Sequence, residues 1–485
     1  MKEVATVEQT RQAEENIFKN GTTPYELMGV VGRLLAKNLE EYDRILILCG
    51  TGNNAGDGYA AASVLLKNNK DITLWIPCEK FSESGREYYQ ECVNNNVKCI
   101  YGYKNINFDN YDLIVDCLFG IGFHGEVNEE TKHIIDGINA SGKTVFSADV
   151  PSGLNADNGT TSCAIVADKV FTVGFSKYGL YLNAGKDYAK ETIVFPLGFK
   201  DDVGTLVEPE DCAEFVLPRK NDSHKGKYGY IALFGGSENY SGAIKLSNLA
   251  SSAVYSGCGV VKLVIPDSIA QAVAPYMLES TLYSEKQFDA ALKGVSCIGV
   301  GCGWGRNADR AVLLDNIFNN ADCPVVLDAD GLFAWKQNGL PSYKNTLIIT
   351  PHFGEMAMLS DTDVMSVRSN PIRSAVDFSL KHNCITVLKG PSTIVTDGKN
   401  IMITNRGCAG MATAGSGDVL LGILTAIVGQ KHDNLLKSVA YATILNGISG
   451  EIAQRKYTDI GMTAKDTVDS IRSAIIFLRE SCRIV

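Results

Sequence analysis

The chain reads as a two-domain α/β protein, and three observations lead there. Its 485 residues exceed what one hydrophobic core usually organises. Short apolar runs alternate with amphipathic segments from end to end, the pattern of parallel strands covered by helices. The alternation breaks in the polar, proline-containing stretch "GFKDDVGTLVEPEDCAEFVLPRKNDSHKGK", which reads as a joint near residue 215. We therefore expect domains over 1–215 and 216–485.

In the first half the predicted strands are "RILILC", "ITLWIP", "YDLIVDCL", "KTVFSAD", "KVFTVGF" and "TIVFPL". The second half restarts the pattern with "YGYIALFGG", "GVVKLVIP", "CIGVG", "PVVLDAD", "LIITP" and "CITVLKG". No short-period repeat appears, which argues against a solenoid.

Composition narrows the function classes. Hydrophobic residues make up 45% and charged residues 21%, enough apolar material for sizeable cores. The net charge of -10, with Lys and Arg scattered, argues against a nucleic-acid or anionic-membrane partner. Many of the 14 cysteines, Cys49, Cys117, Cys297 and Cys384 among them, sit in apolar runs without C-x-x-C spacing, so buried free thiols are expected rather than disulfides or zinc. The opening "MKEVATVEQTRQAEE" lacks a signal-peptide core and "LLGILTAIV" is shorter than a membrane span, so we expect a cytoplasmic protein. A homo-oligomer is also expected.

Three loops of the first half carry chemistry. "GTGNNAGDG" places Gly50, Gly52 and Ala55 in a G-x-G-x-x-A pattern after a strand, which suits a dinucleotide pyrophosphate in a Rossmann-like, three-layer domain. A plain strand-to-helix turn capped by Asp57 gives the same pattern. "DLIVDCLFGIGFHGE" and "VFSADVPSGL" also set acids and glycines just beyond apolar strands, where ligands gather on a parallel sheet.

These loops, with "TRQAEENIFKNGTTPYELMGVVG", resemble the epimerase domain of the NAD(P)H-hydrate repair family over nearly the whole first half. The resemblance implies interconversion of the R and S epimers of hydrated NADH and NADPH (NADHX and NADPHX). It implies substrate contacts from Asn53, Asn54, Ala55, Gly56 and Asp57, and from Gly120, Ile121, Gly122, Phe123, His124, Gly125, Glu126 and Asp149. It assigns a potassium ion to Asn54, Asp116 and Ser152. Ala55 departs from the family's glycine, and a positive φ there would be strained. Asp149 is expected to be the acid–base group, with a turn-holding role as the alternative.

The second half concentrates its signal in "CAGMATAGSGDVLLGILTAIV". Gly415, Ser416 and Gly417 open a helix whose amino end offers unpaired amides, an anion hole beside which Asp418 can take a proton from a hydroxyl. The bland reading is capping by Ser416 and Asp418. G-[ST/A]-G-D is the signature of ribokinase-like α/β domains, so a small-molecule kinase fused to a nucleotide-binding regulatory domain is the competing function.

"HKGKYGYIALFGGSENYSGA", "GVGCGWG", "LDADGL", "TPHFGE" and "LKGPSTIV" resemble the dehydratase of the same repair family, in the family's order. The resemblance implies that Ala243, Gly303 and His352 hold the hydrated nicotinamide nucleotide, with a buried structural role the alternative for His352. It assigns Lys389, Gly390, Pro391, Ser392, Thr393 and Gly417 to an adenine nucleotide and Asp418 to the substrate hydroxyl. The implied reaction is dehydration of the S epimer driven by ADP, or ATP, with release of AMP and phosphate when ADP is used. Magnesium is expected on the nucleotide phosphates, with Asp328 and Asp330 as candidate holders through water. Phe353 stands where the family has proline, and Ser416 where threonine is common.

Overall fold

The structure is a computed structural model that describes residues 2–198, 203–251 and 255–484. The chain divides into two compact units, Lys2–Gly204 and Thr205–Val485. The division precedes the expected joint near residue 215. The strand Gly204–Val207 already pairs with Ile401–Thr404, and the turn Pro209–Phe215 buries Cys212 in the second unit's core. The polar composition of this stretch hid those anchors; its residues 199–202 lie outside the described ones.

The first unit holds a seven-stranded, fully parallel sheet. Its spatial order is Lys98–Tyr101, Asp71–Ile76, Arg44–Cys49, Leu113–Cys117, Thr144–Ala148, Ala167–Val173, Ala189–Phe195. The six expected strands are all present. Lys98–Tyr101 escaped prediction because it is a short edge strand with no fully buried residue. The order runs outward in both directions from Arg44–Cys49 and Leu113–Cys117, so the connections from these two strands diverge and leave a crevice between them. The two strand ends approach so closely that a side chain at Gly50 would meet the Leu118 carbonyl at 1.9 Å. Only glycine fits there. A short parallel pair joins Lys2–Ala5 to Ser176–Lys177.

The second unit carries a sheet whose seven parallel strands run in the order Ser280–Ser284, Val260–Ile265, Tyr230–Phe234, Cys297–Val300, Val325–Leu327, Leu347–Ile349, Cys384–Leu388. An antiparallel hairpin, Thr393–Thr396 and Ile401–Thr404, extends it. The hairpin and Ser280–Ser284 were not anticipated, since these segments of four or five residues carry threonine or serine at one or both ends and their apolar runs are short. The helix Ser416–Gly429 is buried on every side from Val419 to Gly429. It lies in the core, where Gly422 lets it approach the Ser247 carbonyl.

All 14 cysteines are free, and Cys49, Cys117, Cys297 and Cys384 are buried as expected. No helix among the described residues is long and apolar enough to cross a membrane.

Candidate active sites

The crevice of the first unit opens into a cavity of about 540 Å³. Asn53 begins the helix Asn53–Lys67, and its N-cap, Gly52, supplies no side-chain cap. The plain capping reading of this turn therefore does not hold. Asn53, Asn54 and Asp57 line the cavity. Ala55 and Gly56 instead face the packing, Ala55 buried and Gly56 so near Met28 that a Cβ would meet its Cε at 2.4 Å. Ala55 is helical with negative φ, so the methyl group is not strained. The loop residues Gly120, Ile121, Gly122, Phe123 and His124 line the same cavity, while Gly125 and Glu126 lie outside its lining.

Asp149 sits just after the strand Thr144–Ala148, at φ +68°, a left-handed backbone that a non-glycine residue adopts only when its surroundings hold it. Three donors do so. The Ile121 amide donates to Oδ2 at 3.1 Å, the Thr172 hydroxyl to Oδ1 at 3.4 Å, and the Lys177 ammonium stands 2.6 Å from Oδ1. Lys177 was not anticipated from the sequence. Its signal was a lysine inside the apolar stretch "VFTVGFSKYGL", where burial needs a partner. Glu14 and Arg11, on the helix Val7–Lys19, also line the cavity and were likewise missed. Burial, then Asp149 and Glu14, push the Asp57 carboxyl well above its usual range, and burial followed by Asp149 raises Glu14. Several carboxylates crowd one cavity, where burial and mutual repulsion favour the neutral forms of Asp57 and Glu14.

Asp116 is fully buried. It accepts from the Ser147 hydroxyl (2.7 Å), the Ser152 amide (2.8 Å), the Ser152 hydroxyl (2.6 Å) and the Leu118 amide (3.2 Å). Burial raises its pKa despite these bonds, and among the described residues no cation offsets that shift. Asn54 Nδ2 donates to the carbonyls of Phe119 (2.9 Å) and Ala148 (3.3 Å), which leaves Asn54 Oδ1 buried with no partner. An orphaned amide oxygen, an unneutralised carboxylate and a serine oxygen make a hard-oxygen donor set that fits a monovalent cation.

In the second unit the helix Ser416–Gly429 begins at Gly415, φ +96°, without a side-chain cap. The Ser416 hydroxyl is buried without a partner. The expected alternative, capping by Ser416 and Asp418, is absent, and the amino end of the helix is free to meet an anion. Burial and then the Asp328 charge push Asp418 up to about 7, against a lowering by Lys389. The Lys389 ammonium lies 2.6 Å from Asp328 Oδ1, to which the Thr350 hydroxyl also donates at 2.7 Å. Burial lowers the Lys389 pKa, but Asp328 and Glu355 outweigh it and the net shift is upward. A side chain at Gly417 would meet Asp328 Oδ2 at 3.2 Å and Lys389 Nζ at 3.7 Å, so these groups converge on one point.

His352 is neither buried nor idle. It is 60% exposed and caps the helix Phe353–Ser360: the Glu355 amide donates to Nδ1 at 3.1 Å and the His352 amide to Glu355 Oε2 at 2.8 Å. A parallel bridge between His352 and Lys389 brings its loop to the Asp418 cluster. Phe353 lays its ring against Gly390, where a Cβ would meet Cζ at 3.1 Å. Ser392 is turned inward to Asn405 Oδ1 (2.9 Å), Pro391 is exposed, and Thr393 starts the hairpin. Ala243 and Gly303 are neighbours, 2.9 Å from Cβ to built Cβ. The two candidate magnesium holders are already engaged, Asp328 by Lys389 and Asp330 by the Gly305 amide and Arg306, each at 2.8 Å.

A Rossmann-order crevice with a cation-ready oxygen cluster, joined in one chain to an uncapped helix terminus beside an elevated aspartate, defines a nucleotide-handling enzyme of two sites. Comparison with known proteins makes this specific. The NAD(P)H-hydrate dehydratase family model matches residues 231–473, and that of the YjeF-related protein N-terminus matches 25–179. A bifunctional NAD(P)H-hydrate repair enzyme (Nnr) of Dictyoglomus turgidum is 30% identical over 97% of this chain and 98% of its own. Its namesake from Coxiella burnetii is 29% identical over 96% and 97%. The chain belongs to the bifunctional NAD(P)H-hydrate repair enzyme family. Two solved structures share the ribokinase-like fold of the second unit, each covering 57% of this chain at TM-score 0.52. They are an ADP/ATP-dependent NAD(P)H-hydrate dehydratase from Bacillus subtilis (24% identity, 99% of that chain) and a ribokinase-like superfamily protein from Enterococcus faecalis (20%, 96%).

Proposed function

We propose that the first unit interconverts the R and S epimers of NADHX and NADPHX, and that the second dehydrates the S epimer at the expense of a nucleotide, ADP in preference to ATP. The observation that supports this best is the uncapped helix terminus at Gly415–Asp418 beside the Lys389–Asp328 pair. Asp418 removes the proton of the ring hydroxyl, whose oxygen attacks the terminal phosphoryl group of the nucleotide. The helix amides and Lys389 balance the charge that develops on that group. The electron pair of the ring nitrogen then expels phosphate, and loss of a proton from the ring carbon beside the departing group restores the dihydronicotinamide. With ADP the products are AMP, phosphate and NAD(P)H. Asp328 and Asp330 are the residues that would hold magnesium on the nucleotide, and the ion would supply charge neutralisation there.

In the first unit Asp149 takes the proton of the ring hydroxyl as the carbon–nitrogen bond opens. The electrons pass to the ring nitrogen, a proton returns there, and closure on the other face inverts the centre. Asn54, Asp116 and Ser152 hold potassium, which neutralises the buried Asp116 when bound. With 14 free thiols the chain suits a reducing, cytoplasmic compartment.

The test mixes both epimers with ADP and magnesium and follows the return of reduced-nicotinamide absorbance. Complete recovery, faster than spontaneous epimerisation, is expected. Recovery that stops when the S form is spent overturns the epimerase reading. A stable phosphate ester in place of NAD(P)H overturns the dehydratase reading in favour of a kinase.

A further inference from the structure

We infer that Lys177 is a positioning residue of the epimerase centre, one that holds Asp149 in a single orientation, as an acceptor, toward the cavity. The inference rests on the proposed role of Asp149 and adds a residue that neither the three polar loops nor the expected ligand set includes.

Four observations carry it. Lys177 lines the cavity yet its side chain is 1% exposed, an uncommon place for an ammonium unless it is fully compensated. It is compensated: its contacts are Asp149 Oδ1 at 2.6 Å, Thr172 Oγ1 at 2.7 Å and the Val173 carbonyl at 3.2 Å. Three N–H bonds meet three oxygens, so none is left to donate to a substrate. Lys177 therefore acts through Asp149, not on the reacting atoms.

The third observation is the division of labour on the Asp149 carboxylate. Oδ1 takes Lys177 and Thr172, while Oδ2 takes the Ile121 amide from the loop that also lines the cavity. The carboxylate is thus pinned from two sides with one edge of Oδ2 left for the substrate. The fourth is the backbone. The left-handed Asp149 points its side chain across the strand end, a conformation that neighbours must hold. Lys177 reaches it from the short strand Ser176–Lys177, whose pairing with Lys2–Ala5 fixes the stem.

The charges that face Asp149 are Lys177 from that strand, Glu14 from the helix Val7–Lys19 and Asp57 from the helix Asn53–Lys67. Lys177 is the only cation in direct contact with Asp149 among the described residues. Without it, the carboxylate would face two acids in a confined site and turn from its present orientation.

The experiment uses the full chain and follows exchange between NADPHX epimers by NMR. Lys177→Ala is expected to lower kcat about 100-fold with KM changed less than about threefold. The deleted atoms correspond to n-propylammonium, which should restore a substantial part of kcat to that variant, whereas the bulkier tetramethylammonium should not. Lys177→Ala with native kcat, or a loss that raises KM and ignores the amine, overturns the inference. Should Lys177→Ala fail to fold, Thr172→Val decides, because it removes one partner of the ammonium and leaves both charges. A fall in kcat at constant KM is expected, and an unchanged kcat overturns the inference. Asp149→Ala keeps the two readings apart. If Asp149→Ala exchanges epimers at the native rate, the acid–base role of Asp149 fails and this inference with it; if only the Lys177 and Thr172 variants are unaffected, Asp149 stands and Lys177 does not.

Discussion

The Lys389 ammonium stands 2.6 Å from Asp328 Oδ1, and the built Cβ of Gly417 lies within 3.7 Å of the ammonium and 3.2 Å of the other Asp328 oxygen. A cation thus stands beside the open helix terminus, paired with a buried carboxylate. Lys389→Met leaves Asp328 buried without its partner. The expected result is a loss of about 3 kcal/mol in stability and an increase of at least tenfold, roughly, in the KM for ADP. Chemical denaturation and dehydratase kinetics on the same preparation check both.

Asp418 should set the acidic limit of dehydration. It must be ionised to take a proton, and its pKa is pushed up to about 7, chiefly by burial. Dehydratase kcat/KM should therefore fall as pH drops below about 7, and Asp418→Asn should lower it on the order of 1000-fold.

The same shift makes a stability prediction of opposite sense. A carboxyl whose folded pKa lies above its unfolded value stabilises the native state below about 4 and loses that contribution as pH rises through about 7. Asp418→Asn, neutral at every pH, should be more stable than the native chain at pH 8 by up to about 4 kcal/mol, with the gain vanishing near pH 4. Thermal unfolding at the two pH values tests the sign.

The oxygen cluster of the first unit predicts an ion requirement. Asn54→Ala removes the orphaned Oδ1 and should raise the potassium concentration needed for half-maximal epimerisation about 10- to 100-fold. Lithium should not substitute for potassium. Epimer exchange titrated with each chloride salt measures both.

Ala55→Gly separates packing from substrate contact. Ala55 is helical and outside the cavity lining, so restoring the family's glycine should cost about 1 kcal/mol of helix stability while leaving epimer exchange unchanged. A rate gain would mean the methyl group touches substrate.

Much of this was legible in the sequence. The period of the apolar runs places twelve strands correctly, because buried parallel strands must be apolar on both faces whatever they pack against. "GSGD" announces an open helix terminus, and three polar loops after strands announce a site. What escaped detection is what depends on neighbours. The strands Lys98–Tyr101 and Ser280–Ser284 lie at sheet edges, where one polar face is allowed, while the hairpin strands Thr393–Thr396 and Ile401–Thr404 are buried four-residue segments whose threonines only the fold places inside.

His352 shows the same division at a single side chain. The motif "TPHFGE" marks it as chemical, but only the folded loop shows its imidazole accepting from the Glu355 amide, with the ring open to solvent.

The sequence by itself determined the two-domain α/β architecture, the order of the strands along the chain and the identities of the loops that bear acids, since periodicity and glycine placement are local properties. The tertiary structure decided which side chains share a charge. Lys177 is 28 residues from Asp149, and Lys389 is 61 residues from Asp328, and no local pattern couples such pairs. Their partnership arises because parallel strands bring all their carboxyl ends to one edge, where burial makes an unpaired ion too costly to keep.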